Sequence, residues 1–140
     1  MSGFINKTFL PLEIHIKENP TGFHRFDVLW TPSVLIMDPQ GKERVRNEGY
    51  LPKVEFRAWL KMSLARLAFV AMKWDDAEER FDGIVRHYPD SGVAAYSVYW
   101  RGVSRYKKTH DPKDLSAVTE ELRRRYQESI WAKKAEVWGD

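Results

Sequence analysis

The alternation of apolar and polar positions sets out two different halves of the chain. In FLPLEIHI, residues 9–16, Leu10, Leu12, Ile14 and Ile16 alternate with Phe9, Pro11, Glu13 and His15, a period of two that predicts a strand with unlike faces. Pro11 has no N–H for a ladder, so one edge of that strand is expected to be unpaired or bulged. KENPTGFHRFDVLW follows as a connection, with a short helix expected over 20–27. SVLIMD, 33–38, is a continuous apolar run suited to a strand covered on both faces. Asp38-Pro39-Gln40-Gly41 then carries type I turn chemistry, and KERVRNE, 42–48, returns as a more polar strand. Residues 33–48 are therefore expected to form an antiparallel hairpin whose second strand lies at an edge.

From Lys53 to about Met72 the rhythm becomes helical. Phe56, Leu60, Leu64, Leu67 and Ala71 recur at spacings of three and four, with Pro52 suited to the first turn. Asp75 or Asp76 is expected to cap a helix from Ala77 to Tyr88, which Pro89-Asp90-Ser91-Gly92 ends. Further helices are expected from Val93 to Lys107, Pro112 to Tyr126 and Ser129 to Trp138. HYPDSGVAAYSVYW and RYQESIWAKKAEVW align at an offset of 38, matching Tyr88 with Tyr126, Ser91 with Ser129, Ala94 with Ala132 and Trp100 with Trp138. Such self-similarity predicts stacked helical hairpins.

The first hairpin resembles a tetratricopeptide repeat. Leu64, Ala65, Ala77, Phe81 and the closing Pro89 fall at that family's packing positions, and Ala65 with Ala77 would let two helices approach closely. Lys61 and Ala68 stand where the family has a large residue and an aromatic. The offset of 38 exceeds the family period of about 34, and a longer turn at Thr109-His110-Asp111-Pro112 is expected to absorb the difference. Trp100 and Trp138 continue the repeat packing.

Residues 4–60 resemble the second half of a thioredoxin-like domain. FINKTF is similar to the last turn of the helix that carries the active-site cysteines in that family, and LPLEIHIKEN to the strand after it. WTPSVLIMD is similar to the proline loop and next strand, DPQGKERVRNEGYL to the hairpin with its closing glycine, and PKVEFRAWL to the final helix. The family's first strand and Cys-x-x-Cys turn have no counterpart, so the thiol-bearing part would precede residue 1. The resemblance implies that the missing strand lies between 9–16 and 33–38. Its absence would leave both neighbours with open edges, to be repaired by their pairing in parallel or by a strand from another chain, the latter predicting a homodimer. It also implies a cis Thr31-Pro32 bond beside which the backbone of Thr31 pairs with an extended peptide, making Trp30, Thr31 and Pro32 the candidate peptide-binding residues.

The fold class expected is thus α+β: a truncated thioredoxin-like β-α-β-β-α unit, residues 1–60, followed by an all-helical tetratricopeptide-like array, residues 61–140. Composition narrows the chemistry. The chain has no cysteine, which removes thiolate zinc sites and thiol redox chemistry. His15, His24, His87 and His110 have no helical partner of ligand type, and no phosphate-cradling or nucleophile-elbow motif occurs. No catalytic residue, metal or cofactor is expected. Net charge is +3 from 23 basic and 20 acidic residues; Lys107-Lys108 and Arg123-Arg124-Arg125 read as solvated helix faces, not as a nucleic-acid stripe. The N-terminus lacks a secretory pattern and no apolar run is long enough to span a bilayer, giving a cytoplasmic expectation with no membrane partner. Trp59, Trp74, Trp100 and Trp131 are expected in the core, and Trp30 and Trp138 at exposed binding surfaces. The function expected is non-catalytic binding of a protein or peptide, with self-association. The alternative is the C-terminal portion of a larger thioredoxin-like thiol-disulfide oxidoreductase.

Overall fold

Asp38 is where the first tertiary structure is decided. Its Oδ1 accepts hydrogen bonds from the N–H groups of Gln40 at 3.0 Å and Lys42 at 2.9 Å, and its carbonyl accepts from Gly41 at 2.9 Å. Gly41 has φ 81°, a left-handed conformation that costs any residue with a Cβ. The turn joins β1 (Ser33–Met37) to β2 (Glu43–Glu48) as an antiparallel pair in which Val34 faces Asn47 and Ile36 faces Val45.

The computed structural model describes residues 1–15 and 17–139, and over them the protein is α+β, mostly helical, with this one two-stranded sheet. α1 (Ser2–Thr8) and α2 (Pro20–Arg25) precede the hairpin. α3 (Lys53–Val70), α4 (Trp74–His87), α5 (Ala94–Thr109), α6 (Pro112–Arg125) and α7 (Ile130–Ala135) follow it, and a 3-10 turn over Glu136–Trp138 follows α7. Successive helices pack on each other from α3 to α7, and β2 packs on α3.

Of the strand expected over 9–16, the described part, 9–15, does not form. Residues 9–15 carry no strand pairing and Ile16 lies outside the described residues. Leu10 is 97% and Leu12 81% exposed. Alternation prepares a segment for a sheet, but a strand exists only when a neighbour takes up its backbone groups, and among the described residues none does so. Among the described residues the sheet therefore has two strands instead of three, and residues 9–15 show no parallel closure onto 33–38.

Two smaller expectations are also corrected. α4 begins at Trp74 instead of Ala77, with Asp75 and Asp76 in its first turn instead of at its cap, where carboxylates oppose the positive end of the helix dipole. The excess repeat length does not lie in the 109–112 turn: His110 and Asp111 alone separate α5 from α6, while α5 itself runs for 16 residues.

The internal repeat is visible in backbone detail. Met72 (φ 58°) and His110 (φ 57°) take the same left-handed conformation before helices α4 and α6, each of 14 residues. Tyr88 and Tyr126 cap those helices by donating to Ile84 and Leu122 at 2.7 and 2.8 Å. Ser91 and Ser129 then donate through Oγ to the carbonyls of Tyr88 and Tyr126 at 2.8 and 2.7 Å. The same chemistry thus closes the turn after a helix twice, and Ser129 in addition caps α7 by accepting from the Ala132 N–H at 3.1 Å.

Two clusters form the core. The first joins Ile36 of β1 to Trp59, Met62 and Ala65 of α3 and to Ala77, Phe81 and Ile84 of α4. It spans both sides of residue 60, since α3 runs through that position. The second joins Val85, Val98, Val118, Leu122, Ala132 and Ala135. Phe81 is 1% exposed, and truncating such a side chain to alanine costs about 3–5 kcal/mol. Polar ties lock the units together. Arg66 donates to the Arg44 carbonyl in β2 at 3.1 Å and to the Tyr96 hydroxyl in α5 at 2.9 Å. Glu55 accepts from the Gly92 N–H at 2.9 Å, and Tyr126 donates to the Pro89 carbonyl at 2.6 Å.

Candidate functional site

The loop between α2 and β1 is pinned at both ends and free in the middle. Asn19 caps α2 by accepting from the Gly22 N–H at 2.8 Å, and α2 ends at Phe26 with Asp27 left-handed at φ 52°. Arg46 of β2 donates to the Phe26 carbonyl and, at 2.8 Å, to the Asp27 carbonyl. Its guanidinium is fixed in turn by Glu43 at 2.6 Å. The hydrogen bond to Glu43 and its charge raise Arg46 above its ordinary pKa, and the same pairing lowers Glu43 below its own. At the other end the Ser33 hydroxyl donates to the Trp30 carbonyl at 2.5 Å, and the Gly49 N–H donates to the Pro32 carbonyl at 2.7 Å.

Between these pins the Thr31-Pro32 bond is cis, the geometry the thioredoxin-like resemblance implies. Trp30 is 68% exposed, and Thr31 and Pro32 are exposed beside it. Among the described residues no hydrogen bond uses the N–H or carbonyl of Thr31. Leu29, Tyr50 and Val54 are also exposed. Tyr50 adjoins Gly49, whose N–H holds Pro32, so it lies at the same end of the hairpin. Trp30, Thr31 and Pro32 were legible from WTP; Leu29, Tyr50 and the pinning Arg46 were not, because an arginine in a polar strand carries the signature of ordinary solvation.

The residues expected to pack the helical repeats fall into three groups. Ala65, Ala77 and Phe81 are fully buried in the first core cluster. Leu64 and Pro89 are half-buried. Trp100 packs between Phe69, Tyr96 and Tyr99, with ring centroids 5.0, 6.1 and 5.5 Å away, and among the described residues its buried Nε1 has no hydrogen-bond partner. Trp138, expected at an exposed end, is instead half-buried against Tyr99 at 4.8 Å. The 3-10 turn that ends α7 swings it back onto α5, which burial of so large a ring favours.

The basic clusters are partly neutralised. Lys108 pairs with Asp75 at 2.7 Å and Glu78 at 2.6 Å, and Arg125 with Glu121 at 2.8 Å. Arg101 bridges α4 and α6 by pairing with Asp82 at 2.8 Å and with Glu121. Among the described residues no group of three or more His, Asp or Glu could hold a metal ion, and no helix is long and apolar enough to cross a membrane. Comparison with protein families, curated proteins and solved structures finds no match.

Proposed function

We propose that this protein is a non-catalytic protein-interaction module, with a thioredoxin-like part that binds an extended peptide at the Trp30-Thr31-Pro32 loop and a tetratricopeptide-like helical part that supports it. One observation carries the reading: among the described residues the backbone N–H and carbonyl of Thr31 have no partner, next to the exposed Leu29 and Trp30 and at the hairpin end that carries the exposed Tyr50. An extended peptide would satisfy those two groups and cover the apolar side chains, combining backbone pairing with side-chain anchors. Aromatic anchors dominate such contacts. The test is selection of unstructured peptides on the immobilised protein. Enriched sequences should be apolar and free of proline at alternate positions, and Trp30→Ala should weaken them about tenfold, or about 1.4 kcal/mol. Enriched peptides indifferent to Trp30→Ala would contradict the reading.

A second reading is favoured by the open outer edge of β1: the chain as the C-terminal portion of a larger thioredoxin-like oxidoreductase, whose preceding strand covers that edge and whose Cys-x-x-Cys supplies the thiols. In-frame codons for such a segment upstream of Met1 support it, and an in-frame stop codon there removes it.

A further inference from the structure

The outer edge of β1 offers backbone groups in a defined register. The Pro32 carbonyl accepts from Gly49 and the Asp38 N–H donates to the Lys42 carbonyl, so Pro32 and Asp38 face β2. By the alternation of an antiparallel ladder, Val34 and Ile36 face it too, while Ser33, Leu35 and Met37 face away. Among the described residues no hydrogen bond from another segment reaches those three, and the sheet ends at β1. Open edges of this kind are templates for another strand.

The same chain carries a segment built to fill that edge and standing clear of it. Residues 9–15 have strand patterning, yet Leu10 is 97% and Leu12 81% exposed, and no strand pairing involves them. Pro11 selects one register. A strand whose even-numbered residues face the partner presents the N–H groups of Leu10, Leu12 and Ile14 and turns the Pro11 nitrogen to the outside, where a missing N–H costs nothing. The three donors then recur at the spacing of Ser33, Leu35 and Met37. Their side chains fall on the Leu35 face of the sheet, the face on which Arg46 reaches the end of α2.

We propose that two copies of this chain associate by reciprocal strand exchange, residues 9–15 of each pairing with the outer edge of β1 of the other. Each copy gives one strand and accepts one, so the exchange closes at two and leaves neither edge open. The proposal rests on the interaction reading above and names its partner, with the pairing along Ser33–Met37 instead of at the Trp30 side chain.

The test is the solution mass of the full chain by sedimentation across a concentration series, for the wild type and three variants. The wild type is expected at twice the 16.5 kDa chain mass. Leu12→Pro, at a position outside regular structure, removes an inward N–H and should raise the dimer dissociation constant by about tenfold or more. Glu13→Pro, whose N–H faces outward in this register, should leave the dimer intact. Trp30→Ala should also leave it intact, so peptide capture that survives this substitution, with the dimer mass unchanged, counts against the loop reading alone. A monomeric wild type, or a dimer that survives Leu12→Pro, overturns the proposal. Because the chain has no cysteine, Leu12→Cys and Leu35→Cys can be placed in separate copies and mixed. A disulfide-linked pair is expected, whereas a disulfide forming only when both are in one chain would show own-edge docking and overturn the exchange.

Discussion

Two glycines in helix interiors should respond to the same substitution with opposite signs. In α5, a Cβ added at Gly102 would lie 1.9 Å from Cγ2 of Val118 and 3.6 Å from the Asp114 carbonyl oxygen. Val118 is 4% exposed and belongs to α6, so the missing side chain at Gly102 lets α6 come close to α5 here. Carbon atoms in contact settle about 3.5–4.0 Å apart, so the Val118 methyl must move by about 1.6 Å or more. A helical valine has one strongly preferred χ1, and overpacking of this kind costs about 1–3 kcal/mol. The gain in helix propensity on replacing glycine by alanine is about 1 kcal/mol. Gly102→Ala is therefore expected to destabilise by about 1 kcal/mol, the packing cost outweighing the propensity gain. At Gly83 in α4 none of the described residues comes within 4 Å of the added Cβ, so Gly83→Ala should stabilise by about 0.5–1 kcal/mol. Urea unfolding followed by far-ultraviolet circular dichroism at pH 7 measures both, with the denaturant slope held common. Adding Val118→Ala to Gly102→Ala should reveal a coupling of about 1 kcal/mol or more. A Gly102→Ala variant as stabilised as Gly83→Ala, with no coupling to Val118, would refute the close approach of α5 and α6.

Trp100→Phe should stay within about 1 kcal/mol of the wild type, because the lost ring area is offset by removing a buried, unpartnered Nε1–H whose burial costs about 1–3 kcal/mol. A larger loss in the same urea assay would show that the group has a partner. Arg101→Ala removes the bridge between helices and leaves Glu121 to Arg125 and Asp82 to Arg86, each within its own helix; at this partial exposure the expected loss is about 1–2 kcal/mol, between surface and buried pairs. Arg80→Ala, which removes an exposed pair within one helix, should cost under about 0.5 kcal/mol, and equal losses would contradict the bridging role. Burial pushes the Glu78 and Asp82 carboxyls up, but hydrogen bonds from Lys108 and Arg105 to Glu78, and from Arg101 and Arg86 to Asp82, outweigh it and leave both below their ordinary values. A lowered carboxylate binds fewer protons folded than unfolded, so its stabilisation is present above pH ~4 and fades as pH falls through the folded value. Thermal melts between pH 7 and pH 3 should show that loss flattened in a Glu78→Gln/Asp82→Asn variant, and an unchanged acid profile would count against it.

Elements that satisfy themselves locally could be read directly from the residues. The hairpin follows from Asp38 and Gly41, whose side chain and backbone conformation are all the turn requires. The helices follow from the spacing of Phe56, Leu60 and Leu67, and the second pair from the offset that joins Tyr88 to Tyr126. What eluded sequence reasoning are relations between distant segments. Leu10, Leu12 and Ile14 have the pattern of a strand, but no residue in that pattern reports whether a neighbouring edge exists. Trp138 is covered because α7 returns to Tyr99, a partner that periodicity within one helix does not indicate. At the candidate site, Trp30, Thr31 and Pro32 were marked by their local motif. The bracing by Arg46 and the nearby exposure of Tyr50 depend on how β2 lies against the end of α2 and on Gly49 holding Pro32.

The most direct test of the interaction reading is backbone amide chemical-shift mapping as a selected extended peptide is titrated into the isotope-labelled protein. The account predicts that the Thr31 amide shifts most, together with Leu29, Trp30, Ser33 and Tyr50, while the amides of α6 and α7 stay in place. Saturable binding that leaves Thr31 unmoved, with its shifts confined to the helical repeats, would contradict it.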